Sequence, residues 1–174
     1  HQDATYVGLA PFEHVTAWVA LTPSRAESGC VRVIPGSHHK GQLAHFDDHG
    51  DPLTMLSRGQ ELADAIREDE AVDLIHEPGE ASLHHTLTAH SSGPNRSDGW
   101  RIGIGISYIP TSVRHIGPTR LSATLARGTD RFNHFDHEAA PQAELDAAAL
   151  AVHAVSQSRY WKAAWGIAEM RHMH

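Results

Sequence analysis

At 174 residues, with 40% hydrophobic residues, nine prolines and fourteen glycines, the chain has the size and composition of one globular domain with its own core. No stretch approaches the roughly 18 unbroken apolar residues of a membrane helix. Lys plus Arg number 14 against 21 acids, a formal net charge of -7, with no basic stripe to follow a phosphate backbone, so neither membrane nor nucleic acid is expected as a partner. The single cysteine, Cys30, admits no internal disulfide and points to a reducing cytoplasm.

The first clear element is Val15-Thr16-Ala17-Trp18-Val19-Ala20-Leu21, a β-branched and aromatic run that predicts a buried strand ending before Pro23. Cys30 to Ile34 predicts a second strand, closed by the turn Pro35-Gly36-Ser37. Residues 41 to 56 show no period, and Glu61 to Ile66, within 57 to 69, has helical spacing. Ala71 to Ile75 and Ala81 to His90 predict the next two strands. After a Gly/Pro/Asn loop, Trp100 to Tyr108 alternates strictly. Ile102, Ile104 and Ile106 face one way; Arg101, Gly103, Gly105 and Ser107 face the other. Beyond Pro110 the chain reads as loop until about Pro141, and Ala143 to Ala164 predicts a terminal helix. Short strands between Gly/Pro turns argue for an all-β sandwich or jelly roll. Only about five can be counted where a jelly roll uses eight. A chain that opens on His1 rather than Met and is short of strands is expected to be a fragment lacking its N-terminal portion.

His1-Gln2-Asp3 sets an imidazole and a carboxylate two residues apart, which on a strand projects both from one face. A third ligand from another strand would complete a two-histidine, one-carboxylate triad that leaves positions open for a chelating co-substrate and O2. His90 is the candidate. In a chain with sixteen histidines, the plain alternative for His-x-Asp is a surface or capping pair. Arg101, eleven residues after His90, is directed at the glycine-lined face, where a planar guanidinium suits the remote carboxyl of a dicarboxylate. Its plain alternative is a strand-edge charge reaching water.

Four linked segments resemble the phytanoyl-CoA dioxygenase family in order and spacing over residues 1 to about 110. They are His1-Gln2-Asp3; Ala17-Trp18-Val19-Ala20-Leu21; Gly29 to His38; and His90 to Ser97 followed by Arg101. The resemblance implies an all-β core in the form of a double-stranded β-helix (jelly roll, cupin-like) with flanking helices, and one catalytic-core domain over 1–174 with a helical segment at about 141–166. It implies Fe(II) bound by His1, Asp3 and His90, and 2-oxoglutarate contacted by Arg101, Ser92 and, in some members, the counterpart of Trp18. The activity it implies is O2-dependent hydroxylation of a small-molecule substrate with release of succinate and CO2. Tyr108 to Arg114 is similar to a segment in branches that include halogenases. Those enzymes carry a small residue where Asp3 stands, so hydroxylation is the expectation. The alternatives kept open are a non-catalytic or truncated cupin-like metal-binding domain and a halogenase-related oxygenase. Substrate identity and oligomeric state are not readable.

Alternation over Ala81 to His90 places His84 on the face of His90, either lining the pocket or supporting it as a hydrogen-bonded structural residue. His38-His39 is expected to be structural, and Asn95 a turn former. Tyr6 either packs or reaches substrate. His14, His45, His49, His76, His115, His134, His137 and His153 show no ligand spacing and are expected at the surface.

Overall fold

The computed structural model describes residues 1–47, 60–63 and 68–171. In chain order these form α1 (Ala4–Val7), β1 (Leu9–Ala10), β2 (Val15–Ala20), β3 (Val31–Val33), β4 (His45–Asp47), β5 (Gln60–Leu62), β6 (Val72–Asp73) and β7 (Ala81–His85). They continue through β8 (His90–Ser92), β9 (Gly103–Tyr108), β10 (Arg114–His115), β11 (Ser122–Ala123), β12 (Asp136–His137) and the long helix α2 (Ala147–Arg171). The fold is thus mostly β with a C-terminal helix. It divides into two compact units, His1–Thr5 with His14–Tyr108, and Tyr6–Glu13 with Ile109–His174. Among the described residues no helix is long and apolar enough to cross a membrane.

The first unit is built on two three-stranded antiparallel sheets, ordered β7-β2-β9 and β6-β3-β8, with a β4-β5 ribbon. β2 is central because its β-branched and aromatic run can be paired on both sides. Thr16 stands opposite His84 and Ser107, and Trp18 opposite Ser82 and Gly105. One face therefore gathers Thr16, Trp18, Ser82 and His84 beside the glycines of β9. The other gathers Val15, Ala17, Val19, Leu83, Ile104, Ile106 and Tyr108. On that apolar face Leu83 is 73% exposed and Ile104 47%, while Ala17 is buried.

In the second sheet Val33 pairs with His90 and Val31 with Ser92, so His90 and Ser92 project from one face. The Pro35-Gly36-Ser37 turn locks the approach to His90. The buried Ser37 hydroxyl donates to the Ile34 carbonyl at 2.7 Å and accepts the Ala89 amide at 2.9 Å. Gly29 adopts φ +70°, and a Cβ there would lie 2.3 Å from the Gly93 carbonyl oxygen. Backbone strain and a backbone clash coincide, so Gly29→Ala is expected to cost about 3 kcal/mol or more, read as a lower denaturant midpoint at unchanged m-value.

In the second unit, Leu9, Val113, Leu121, Phe135 and Ala163 form a buried cluster joined by Ile109 and Ala123. The helix begins later than expected because Asp146 caps it, its carboxylate accepting the Ala148 amide at 2.9 Å. It then runs past residue 166 to Arg171.

Three further expectations are corrected. Gln60–Leu62 is not helical: it pairs with His45–Asp47, cross-strand partners overriding local propensity. The rest of the expected helix, 57–59 and 64–67, lies outside the described residues, as do residues 48–56 of the aperiodic stretch. Ala81 to His90 is two strands in different sheets. Its backbone turns at Thr86 and Leu87, where the Thr86 amide donates to the His14 carbonyl and the Leu87 carbonyl accepts from the Gln2 side chain. Finally, His1-Gln2-Asp3 is not on a strand, since Asp3 already turns into α1.

Candidate metal centre

His1 and His90 are held by their backbones. The His1 backbone nitrogen donates to the His90 carbonyl at 2.9 Å, and the His90 amide donates to the His1 carbonyl at 3.0 Å. The two residues thus face each other as a doubly hydrogen-bonded antiparallel pair, which puts their imidazoles side by side with ring centroids 4.2 Å apart. Asp3 reaches the same point from the turn into α1. Its Oδ1 lies 3.6 Å from His1 Nε2 and 3.5 Å from His90 Nε2. Each of the three offers one ligand atom, and these atoms lie within 4.8 Å of one another. Among the described residues no other group of three His, Cys, Asp or Glu does so.

The protonation of the set suits a cation. His90 Nδ1 lies 2.9 Å from the Thr88 carbonyl, which can only accept, so Nδ1 carries the proton and the Nε2 lone pair is free. Burial, joined by repulsion from His1, pushes the His90 imidazole down to about 4, against the pull of Asp3. Burial would raise the Asp3 carboxyl. Contacts from His1, His84, His90 and the Thr16 hydroxyl instead hold it well below the usual carboxylate range. At neutral pH the centre is therefore an anionic oxygen with a neutral imidazole nitrogen beside it, which suits a divalent ion better than a proton. The depressed His90 also sets a pH dependence. Between about pH 6.5 and 4 the unfolded chain binds a proton at His90 that the folded chain refuses, so the stability carried by neutral His90 falls as pH falls through that window, and below it the depressed Asp3 carboxyl continues the fall. Unfolding midpoints of the metal-free chain are expected to show this fall, the His90 share reaching at most about 3 kcal/mol. His90→Gln should remove the His90 share and leave that of the buried His14 and of His115, whose imidazoles burial also depresses.

Three residues that sequence reasoning did not single out complete the surroundings. Gln2, fully buried between the two ligands, donates to the Gly41 and Leu87 carbonyls at 3.0 and 2.7 Å and accepts the Leu43 amide at 2.9 Å. Thr16 donates its hydroxyl to Asp3 Oδ2 at 2.8 Å. His14, expected at the surface, is 1% exposed and packs its ring between Thr16 and Thr86. His76 is buried as well, its ring 5.7 Å from that of Trp18. No sequence signal pointed to Gln2, since with His1-Gln2-Asp3 on a turn strand alternation does not fix where its side chain goes. Thr16 stood in a run read as a buried strand, and its place opposite His84 comes from the pairing of β2 with β7. His84 lies beside the three donors, its Nε2 3.6 Å from Asp3 Oδ2, and is not one of them.

Of the residues expected to meet a dicarboxylate, Arg101 and Trp18 come together. The Arg101 guanidinium carbon lies 5.6 Å from the Trp18 ring centroid. Arg101 makes no ion pair with a described carboxylate. Gly103 makes room for the indole, since a Cβ there would lie 2.2 Å from it. Ser92 shares the face of His90 and is exposed.

Residues 1–103 match the profile of the Phytanoyl-CoA dioxygenase (PhyH) family. The chain belongs to that family. It is 29% identical over 119 residues to the peroxisomal phytanoyl-CoA dioxygenase of Bos taurus, covering 67% of this chain and 34% of that one. Among solved structures it resembles the non-heme monooxygenase ThoJ in its apo form, with TM-score 0.85 and 36% identity, over 97% of this chain and 60% of that one. It also resembles EvdO2 from Micromonospora carbonacea var. aurantiaca complexed with 2-oxoglutarate, with TM-score 0.51 and 29% identity, over 62% and 42% of the two chains. The chain thus spans about a third of the length of the bovine relative.

Proposed function

We propose that the chain is the catalytic-core piece of a non-haem Fe(II)/2-oxoglutarate-dependent dioxygenase that hydroxylates a small organic substrate. The observation that carries this reading is the convergence of His1 Nε2, Asp3 Oδ1 and His90 Nε2, with the His90 tautomer fixed by the Thr88 carbonyl. Two imidazoles and one carboxylate are the donor set that suits iron while leaving sites for a chelating co-substrate. Family membership and the resemblance to a structure holding 2-oxoglutarate support the same co-substrate. The two three-stranded sheets of the first unit are read as part of a double-stranded β-helix.

In this reading His1, Asp3 and His90 hold the iron, and Arg101 takes the remote carboxylate of 2-oxoglutarate by paired N–H donors. Trp18, under the guanidinium, limits where that group can swing. The Ser92 hydroxyl, on the face of His90, adds a donor to the co-substrate. Iron with 2-oxoglutarate and O2 supplies the oxidation of a C–H bond, succinate and CO2 being released. The chain's own part is to fix geometry at one end by three ligands and at the other by one cation.

Anaerobic addition of Fe(II) and then 2-oxoglutarate tests the reading. A weak visible charge-transfer band that needs both components is expected. Iron binding without such a band would favour a metal-binding domain with no oxygenase chemistry. No iron binding, in this chain or in a version extended upstream of His1, would sink the assignment.

A further inference from the structure

The two oxygens of Asp3 do not have the same surroundings. Oδ1 faces His1 and His90. Oδ2 accepts the Thr16 hydroxyl at 2.8 Å and has His84 Nε2 at 3.6 Å. Thr16 and His84 stand directly opposite each other on β2 and β7. The register of one strand pair therefore presents two polar side chains to one carboxylate oxygen.

Behind Thr16 the line continues. Its hydroxyl proton is committed to Asp3, so the 3.4 Å contact with His14 Nε2 makes His14 the donor there. His14 Nδ1 is then an acceptor, and the Thr86 hydroxyl at 3.1 Å supplies its proton. Thr86, His14, Thr16 and Asp3 form one directed series in which every donor has a single acceptor. Thr86 is locked in turn by its amide on the His14 carbonyl. His14 and Thr86 are almost completely buried, so water does not compete for the series.

We infer that Thr16, backed by His14 and Thr86 and flanked by His84, is a positioning residue that turns Asp3 so that Oδ1 alone is offered to the metal. A carboxylate free to rotate can present both oxygens to a divalent ion and take up a position that the co-substrate needs. With Oδ2 turned to accept the Thr16 hydroxyl and the His84 ring beside it, Oδ1 is the oxygen set against His1 and His90. The inference rests on the triad reading given above and adds residues outside the three donors.

The test uses the whole 174-residue chain with Ni(II) titrated calorimetrically and Co(II) followed by its visible absorption. Thr16→Val keeps the shape and removes the hydroxyl. It should weaken Ni(II) binding about 10–100-fold and change the Co(II) spectrum. Thr16→Ser restores the hydroxyl and should return both towards the parent. A Thr16→Val protein with the parent's affinity and spectrum would overturn the inference, and so would a Thr16→Ser protein as impaired as Thr16→Val. Should Thr16→Val fail to fold, Thr16→Ser and His84→Gln decide. The first must bind as the parent does, and the second must change the Co(II) spectrum. If the parent chain binds neither ion, the triad reading itself fails and takes this inference with it, an outcome separate from a parent that binds and variants that do not differ.

Discussion

Asp3→Ala is expected to remove more than about two orders of magnitude of divalent-metal affinity, and with it the band that 2-oxoglutarate develops on bound iron. Loss of an outer hydrogen-bond partner alone weakens a metal site about 10–100-fold, so loss of the anionic ligand should exceed that range. Asp3 is the sole carboxylate of the three-donor cluster. Without it, a divalent ion keeps two imidazoles, and the Thr16 hydroxyl loses the acceptor to which it is directed. Calorimetry with Ni(II) at pH 7 and anaerobic absorption with Fe(II) would read the two effects. An Asp3→Ala chain within about threefold of the parent affinity would place the ion elsewhere, for instance on exposed histidines, and would sink the triad.

Arg101→Ala should separate co-substrate from metal. Half-saturation by 2-oxoglutarate is expected to rise by about 10²-fold, the scale on which truncating one partner of a hydrogen-bonded charge pair acts, while Ni(II) affinity stays that of the parent. Arg101→Lys should recover only part of the loss. An ammonium keeps the charge but lacks the planar pair of donors, and its stacking on Trp18 is poorer. A parallel fall in metal affinity would mean that Arg101 supports the fold near the ligands instead of meeting the dicarboxylate. Unchanged 2-oxoglutarate dependence would leave it as a surface cation over an indole.

What the sequence made legible was whatever has a period of two. The faces of β9 follow from alternation. Arg101 on the side of Gly103 and Gly105 follows from the same pattern, whereas the Trp18 ring beneath it depends on the remote pairing of β2 with β9. His1, Asp3 and His90 were readable as a set only because linked motifs named them together. The geometry that unites His1 with Asp3 was misread, since the pair rides a turn and not a strand. The break after His85 was hidden because its causes are remote. The Gln2 side chain and the His14 carbonyl take up the backbone groups of Leu87 and Thr86, and nothing local to residues 81–90 announces them. The burial of His14 was hidden for a similar reason. A histidine earns an interior place through its two hydroxyl partners, and Thr86 is seventy-two positions away in the chain.

The reciprocal hydrogen bonds between His1 and His90 set how far apart their two imidazoles start, and those bonds belong to the main chain. In the proposed reading, the identity of these two ligands is in consequence separable from their spacing. Exchanging either imidazole for a carboxylate would alter the charge and softness of the site while the distance between the two anchoring points stayed as the ladder dictates. Metal preference can therefore be retuned at the side-chain level on an unchanged frame, with the Thr88 carbonyl as the next atom to reconsider once a proton on Nδ1 is no longer needed.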